Sequence, residues 1–121
     1  MTRSSSFGEE GEACAARLLE RKGFRILDRR YRTPRGEIDI VAIKGGTLVF
    51  TEVKARSYEA FGGPAAAVGR AKINRITEAA LTYIKERGVK PECIRFDVIA
   101  IVSGREPEHI ENAFTPPRFS Y

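Results

Sequence analysis

Two carboxylates and a lysine are set into the apolar stretch GEIDIVAIKGGTLVFTEVKAR, Gly36 to Arg56. Asp39 lies in one run of β-branched and aliphatic residues, and Glu52 and Lys54 lie in the next, with Gly45-Gly46 between the runs. That pattern predicts a β-hairpin. With the glycine pair as a two-residue loop, Lys44 opposes Thr47, Ile43 opposes Leu48 and Val41 opposes Phe50. Carried outward, the same register sets Asp39 opposite Glu52 and Glu37 opposite Lys54. Side chains alternate along a strand, so Asp39, Val41, Phe50, Glu52 and Lys54 share one face. Cross-strand carboxylates roughly 5 Å apart repel by about 3 kcal/mol at an effective dielectric of about 20. Lys54 offsets part of that cost, and a divalent cation would offset more. Magnesium is usually held by one or two carboxylates together with phosphate oxygens of a substrate, which is what this corner can offer. The plainer reading is an exposed ion cluster. Val41, Ile43, Leu48 and Phe50 lie on the same face and need cover, which favours charges at the end of a covered cleft.

Other chemistries are harder to build. The single histidine, His109, sits in the polar segment EPEHIEN with no nucleophile motif beside it. Paired-histidine nucleases, zinc hydrolases and Ser-His-Asp arrangements therefore lack their parts. The two cysteines, Cys14 and Cys93, are far apart and show no CxxC spacing. They read as small, buried, reduced residues. A formal net charge of +5 points to an acidic partner, nucleic acid or an anionic surface. Arg29, Arg30, Arg32 and Arg35 crowd the approach to the hairpin and Arg56 follows it, while Arg70, Lys72 and Arg75 come with the next helix. Charge alone is equally compatible with a solvated basic surface.

The elements that must position these residues can be read in order. Residues 1–7 form a polar tail. Gly8 to Arg21 reads as a helix with Ala15, Ala16 and Leu19 on its apolar stripe, ended by Gly23. The stripe extends through Glu12, which is either an acid favoured by the helix N-terminus or an inward group in need of a partner. Phe24 to Arg32 is a strand polar enough for a sheet edge, and Thr33 to Gly36 is a turn. After the hairpin, Ser57 to Pro64 is a glycine-containing loop that includes Phe61-Gly62-Gly63-Pro64, and Ala65 to Arg87 is a helix with Ile73, Ile76, Ala80 and Tyr83 on its apolar face. Ile94 to Val102 is a strand apolar enough to be buried on both faces, and a short strand lies near His109–Phe114. A strand, a long helix and a second buried strand imply a right-handed parallel crossover joined to the antiparallel hairpin. At 121 residues this is one domain, 8–114, with a second tail over 115–121. No apolar run approaches the roughly 20 residues of a membrane span. The beginning MTRSSSFGEEGE has no apolar export segment, so the cytoplasm is the expected location.

Asp39 followed by Glu52-Val53-Lys54, on two strands of a hairpin after a helix carrying GEEGE, resembles the PD-(D/E)xK nuclease core of restriction enzymes and archaeal Holliday-junction resolvases. More closely, GEEGEACAARLLERKGF, GEIDIVA, LVFTEVKAR, VGRAKINRI and RFDVIAI, in this order, resemble the bacterial YraN-like (UPF0102) family across nearly the whole chain. The resemblance implies an α/β fold with a restriction-endonuclease-like αβββαβ core: a mixed central sheet flanked by helices. It implies Asp39 and Glu52 as metal ligands, the Val53 carbonyl as a third, and Glu12 as the helix acid near the metal. Lys54 would orient or activate the attacking water and offset charge on the phosphate. Mg2+ is the implied cofactor, with Mn2+ able to substitute. The implied partner is nucleic acid, DNA above all, contacted through Arg35, Arg56, Arg70 and Lys72, and a homodimer is left open. Hydrolysis of DNA phosphodiester bonds, in branched or flapped DNA, is the expected function. Two alternatives stand beside it: a nucleic-acid-binding protein of the same fold without turnover, and a protein-interaction subunit whose basic face is incidental.

Overall fold

The structure is a computed structural model and describes residues 3–56 and 69–116. Its elements are α1 (Arg3–Arg21), β1 (Arg25–Thr33), β2 (Gly36–Lys44), β3 (Thr47–Arg56), α2 (Arg70–Arg87), β4 (Cys93–Val102) and β5 (Glu108–Ile110). The strands form one sheet in the order β1-β2-β3-β4-β5. β1, β2 and β3 are antiparallel neighbours, β3 and β4 are parallel, and β5 returns antiparallel to β4. This is the mixed, helix-flanked sheet of the restriction-endonuclease-like fold, with α2 as the crossover from β3 to β4.

Alternation along the strands sends neighbouring residues to opposite faces, and each face buries a different helix. Val41, Leu48, Phe50 and Phe96 pack with Ile76, Ala79, Ala80 and Tyr83 of α2. Ile40, Ala42, Val49 and Ile99 pack with Ala15, Ala16 and Leu19 of α1. Burying a side chain such as Phe50 or Leu19 contributes about 1.5–3 kcal/mol, so the two helices are held mainly by these apolar faces. Each helix stops at a glycine: Gly88 is left-handed with φ 64° and returns its N–H to the Ile84 carbonyl. At the other, Phe24 N–H reaches the Leu19 carbonyl past Gly23.

The hairpin register is the one its turn dictates, with Lys44↔Thr47, Ile43↔Leu48 and Val41↔Phe50 paired. The ladder ends at Ile40↔Thr51, and Glu37 is ion-paired with Arg32 of β1 at 3.0 Å where continuation would set it opposite Lys54. Regular alternation also breaks there: Ile38 packs on the α2 side with Val41, while Ile40 packs on the α1 side. Asp39 sits at that break. Across from it on β1, Arg30 lies between the pairs Arg29↔Ile40 and Tyr31↔Ile38 and adopts a left-handed backbone with φ 53°.

Two further expectations need correction, and a third falls outside the described residues. The first helix begins at Arg3, so residues 3–7 are helical where a tail was expected; the serines there lack a glycine or proline that would break the helix before Gly8. Cys93 is exposed because it opens β4 at the sheet's end, and Cys14 is half-buried; both are free thiols. α2 begins at Arg70 within the described residues, and the expected helical residues 65–68 and the loop at 57–64 lie outside them. Among the described residues no helix is long and apolar enough to cross a membrane.

Candidate metal and nucleic-acid site

The site is built where the β2–β3 ladder stops. One residue beyond the last pair, the Asp39 carboxylate takes the place of a ladder carbonyl: its Oδ2 accepts the Val53 N–H at 2.7 Å. That bond turns Asp39 toward β3 and brings it against Glu52. Glu52 is on the α2 face of β3, two residues beyond Phe50, and its side chain is only 5% exposed. Its Oε2 meets two ammonium groups, Lys72 Nζ at 2.6 Å and Lys54 Nζ at 3.6 Å. Lys54 is buried on the same strand face, whereas Lys72 reaches in from the first turn of α2. Glu12 approaches from the other helix. Gly11 lets α1 settle on β3, since a Cβ there would lie 3.0 Å from the Ala55 Cβ. Glu12 is then fixed by Arg30, whose Nε donates to its Oε1 at 2.8 Å. With α1 starting at Arg3, Glu12 lies too far inside the helix for a dipole role.

The two carboxylates are not equivalent. Asp39 has a neutral N–H as its bonded partner, and burial followed by the neighbouring Glu52 charge push its pKa up to about 7 against the lowering effect of the Val53 N–H. Glu52 has the cations. A buried acidic pair of this kind is stabilised by any positive charge placed between its members. Among the described residues no three His, Cys, Asp or Glu side chains are gathered as a ready cluster. The pair therefore fits a hard divalent cation that takes its remaining oxygens from elsewhere, as magnesium does from phosphate and water. The crowded carboxylates, with Asp39 pushed up by burial and by the Glu52 charge, are the feature of this structure that matches such an ion.

Two cavities meet at the pair. The smaller, of about 240 Å³, is lined by Glu12, Val53, Lys54 and Ala55; the larger, of about 450 Å³, by Arg32, Thr33, Arg35, Gly36 and Arg75; Asp39, Glu52 and Lys72 border both. Of the residues singled out in the sequence, Asp39, Glu52, Val53, Lys54, Glu12 and Lys72 border the smaller cavity, and Arg35 lines the larger. Arg70 is exposed at the start of α2 and lines neither cavity, and Arg56 ends β3. Arg32 and Arg75 complete the basic rim. The side chains of Arg32 and Arg35 are 71% and 77% exposed, and their surface ion pairs to Glu37 and Glu78 are too weak to hold them from an incoming anion.

The rim is held by Thr33 and Gly36, which the sequence marks as the ends of a turn but not as part of a site. Thr33 Oγ1 donates to the Gly36 carbonyl at 2.9 Å and accepts the Gly36 N–H at 3.0 Å, closing the β1–β2 turn. Gly36 lies so close to α2 that a Cβ would collide with the Arg75 backbone carbonyl. A glycine opening an otherwise apolar strand is the available signal, because it marks close backbone approach.

His109 lies elsewhere, at the β4–β5 end. Lys22 Nζ lies 2.8 Å from its Nδ1, and an ammonium can only donate, so Nε2 carries the hydrogen and donates to Asp97 Oδ2 at 2.7 Å. Burial pushes Asp97 up, but bonds from His109, Arg95 and the Asn112 N–H outweigh it and hold the carboxyl below its usual range. This network ties β5 to β4 and packs on Phe24 on the α1 face of the sheet, whereas Glu52 lies on the α2 face.

The sequence profile of "Uncharacterised protein family UPF0102" matches residues 11–101. The chain belongs to UPF0102. UPF0102 relatives include proteins of Desulfosudis oleivorans, 45% identical over 116 residues and 94% of each chain, and of Anaeromyxobacter dehalogenans, 47% identical over 112 residues covering 90% of this chain and 84% of the relative. Among solved structures, the fold is similar to that of Hjc, a Holliday junction resolvase from Archaeoglobus fulgidus. The TM-score is 0.52 at 19% identity, over 85% of this chain and 75% of the resolvase. All the residues named above as lining the two cavities fall inside the matched span.

Proposed function

We propose that this UPF0102 protein is a metal-dependent endonuclease that hydrolyses phosphodiester bonds in DNA, with branched or flapped DNA as its substrate. The observation that carries this reading is half-buried Asp39 against buried Glu52, with Lys54 beside them, at the floor of an arginine-rimmed cleft. A structural sheet has no use for two carboxylates crowded until one retains its proton near neutrality. The likeness to a Holliday junction resolvase supports the fold on which such a site sits.

Asp39 and Glu52 would hold Mg2+, or Mn2+ in its place, with the Val53 carbonyl as a third ligand and Glu12 behind them. Such an ion polarises a phosphoryl oxygen and lowers the pKa of a bound water. Lys54, buried beside Glu52, orients the attacking water and stabilises charge that develops on the phosphate oxygens. Arg32, Arg35 and Arg75 hold the strand's phosphates along the cleft, and they contribute affinity without reading sequence. One observation favours the binding-only alternative: Lys72 and Lys54 already give Glu52 its counter-charge without a metal. Cleavage assayed with Mg2+ and Mn2+ on four-way junctions, flaps, single strands and duplexes separates the two. Metal-dependent cleavage of at least one structure supports the nuclease; tight binding with no cleavage of any supports the binder.

A further inference from the structure

Lys72 occupies a position with two consequences. Its Nζ lies 2.6 Å from Glu52 Oε2, closer than Lys54 Nζ does, so it covers the carboxylate oxygen that a divalent cation would need. It also borders both cavities, at the place where the small acidic one meets the large basic one. The two side chains differ in access: that of Lys72 is 41% exposed and that of Glu52 5%. Lys54 cannot leave, since its side chain is 10% exposed and lies on the strand itself. Lys72, on a flexible four-carbon stem from the first turn of α2, can. Arg75 follows it by three residues and so shares its helix face, toward the large cavity.

An ammonium is a compact charge with three donors and no fixed partner geometry, and it serves a phosphate as readily as a carboxylate. A phosphate held by Arg32, Arg35 and Arg75 competes for Lys72. Once Lys72 turns to it, Glu52 Oε2 is uncovered and the two cavities become continuous past the carboxylates. We infer that Lys72 is an exchange residue: it holds Glu52 until a nucleic-acid phosphate draws it away, so that phosphate and divalent cation bind cooperatively. This rests on the proposed nuclease reading and adds to it the order in which the site is assembled. Lys72 acts on the cation through Glu52 and is a positioning residue. Linkage makes the effect reciprocal: DNA tightens the cation by the same factor as the cation tightens DNA.

The test is a titration of Mn2+ into the full chain, followed by the electron paramagnetic resonance of the free ion, with and without a short DNA oligonucleotide. Wild type should bind Mn2+ about tenfold more tightly when DNA is present. Lys72→Met should bind Mn2+ about tenfold more tightly than wild type without DNA, and DNA should then add little. Lys72→Gln, polar and equally uncharged, should repeat that result, and melting curves establish that both variants fold. Lys85→Met removes an exposed positive charge from the last turn of α2, where it lines neither cavity, and it should retain the DNA enhancement. If Lys72→Met binds Mn2+ no more tightly than wild type, or keeps the full enhancement, while Glu52→Gln abolishes binding, the metal site stands and the exchange role is overturned. If no form binds Mn2+ with or without DNA, the nuclease reading and the exchange role fall together.

Discussion

Replacing Asp39 by asparagine should make the metal-free protein more stable, and by an amount that depends on pH. The change keeps the side chain's shape: the amide oxygen can still accept the Val53 N–H that Asp39 Oδ2 accepts at 2.7 Å, and the amide nitrogen can donate to Glu52. What it removes is the cost of ionising Asp39 beside Glu52. Burial and that neighbour raise the Asp39 pKa from 3.8 to about 7, which at 1.36 kcal/mol per unit corresponds to about 4 kcal/mol. Asp39 is half-buried, and water reaching it reduces the expected cost to about 2 kcal/mol. The folded protein binds this proton more tightly than the unfolded chain does. Its contribution is therefore fully present below about pH 4 and is lost as pH rises to about 7. The stability gap between Asp39→Asn and wild type should be near zero at pH 4, widen through pH 7 and level off above it. With an unfolding entropy of about 2.1 cal/mol/K per residue, 2 kcal/mol corresponds to about 8 °C in a domain of this size. Paired melting curves with chelator from pH 4 to pH 8.5 measure it. A variant less stable than wild type at pH 8, or a gap that does not change with pH, refutes the reasoning.

Mg2+ at millimolar concentration should raise the wild-type melting temperature and leave Asp39→Asn nearly unchanged, a difference read in the same melts. Gly36→Ala should cost about 1–3 kcal/mol, because its Cβ meets the Arg75 carbonyl, and DNA affinity should fall with it as the rim is pushed from α2. Arg32→Ala with Arg35→Ala should weaken DNA binding evenly across sequences and reduce the slope of log affinity against log salt by about 2, measured by anisotropy. His109→Ala should lower stability by about 1–3 kcal/mol by stripping a bond from buried Asp97, while cleavage per folded molecule stays at the wild-type level.

The hairpin was legible because turn chemistry and alternation are local rules: Gly45-Gly46 sets the pairs from Lys44↔Thr47 to Val41↔Phe50, and that alone brings Asp39 and Glu52 to one end. The crossover and the edge position of β1 followed from apolar content for the same reason. How the carboxylates meet was not legible. It depends on the ladder ending at Ile40↔Thr51 and on Arg30 adopting a left-handed backbone that its residue type does not announce. Glu12 was ambiguous because its meaning turns on where α1 begins, and the serines before Gly8 carry no stop signal. Arg32, Arg75 and Gly36 line one cleft only through the packing of the β1–β2 turn on α2, a contact between segments about 40 residues apart that no local pattern encodes.

The central claim is that the Asp39–Glu52–Lys54 corner performs hydrolysis, and Lys54 tests it most directly. Single-turnover cleavage should be measured beside DNA affinity for wild type, Lys54→Ala and Glu52→Gln, on whichever DNA structure wild type cuts best. Lys54 is one of many positive charges near the cleft but the one buried against Glu52, 3.6 Å from its Oε2. Lys54→Ala should therefore lose at least a hundredfold in rate while keeping most of its DNA affinity. Glu52→Gln should lose cleavage at all metal concentrations that support wild type. Cleavage by Lys54→Ala at the wild-type rate, from preparations that bind DNA equally well, would contradict the account.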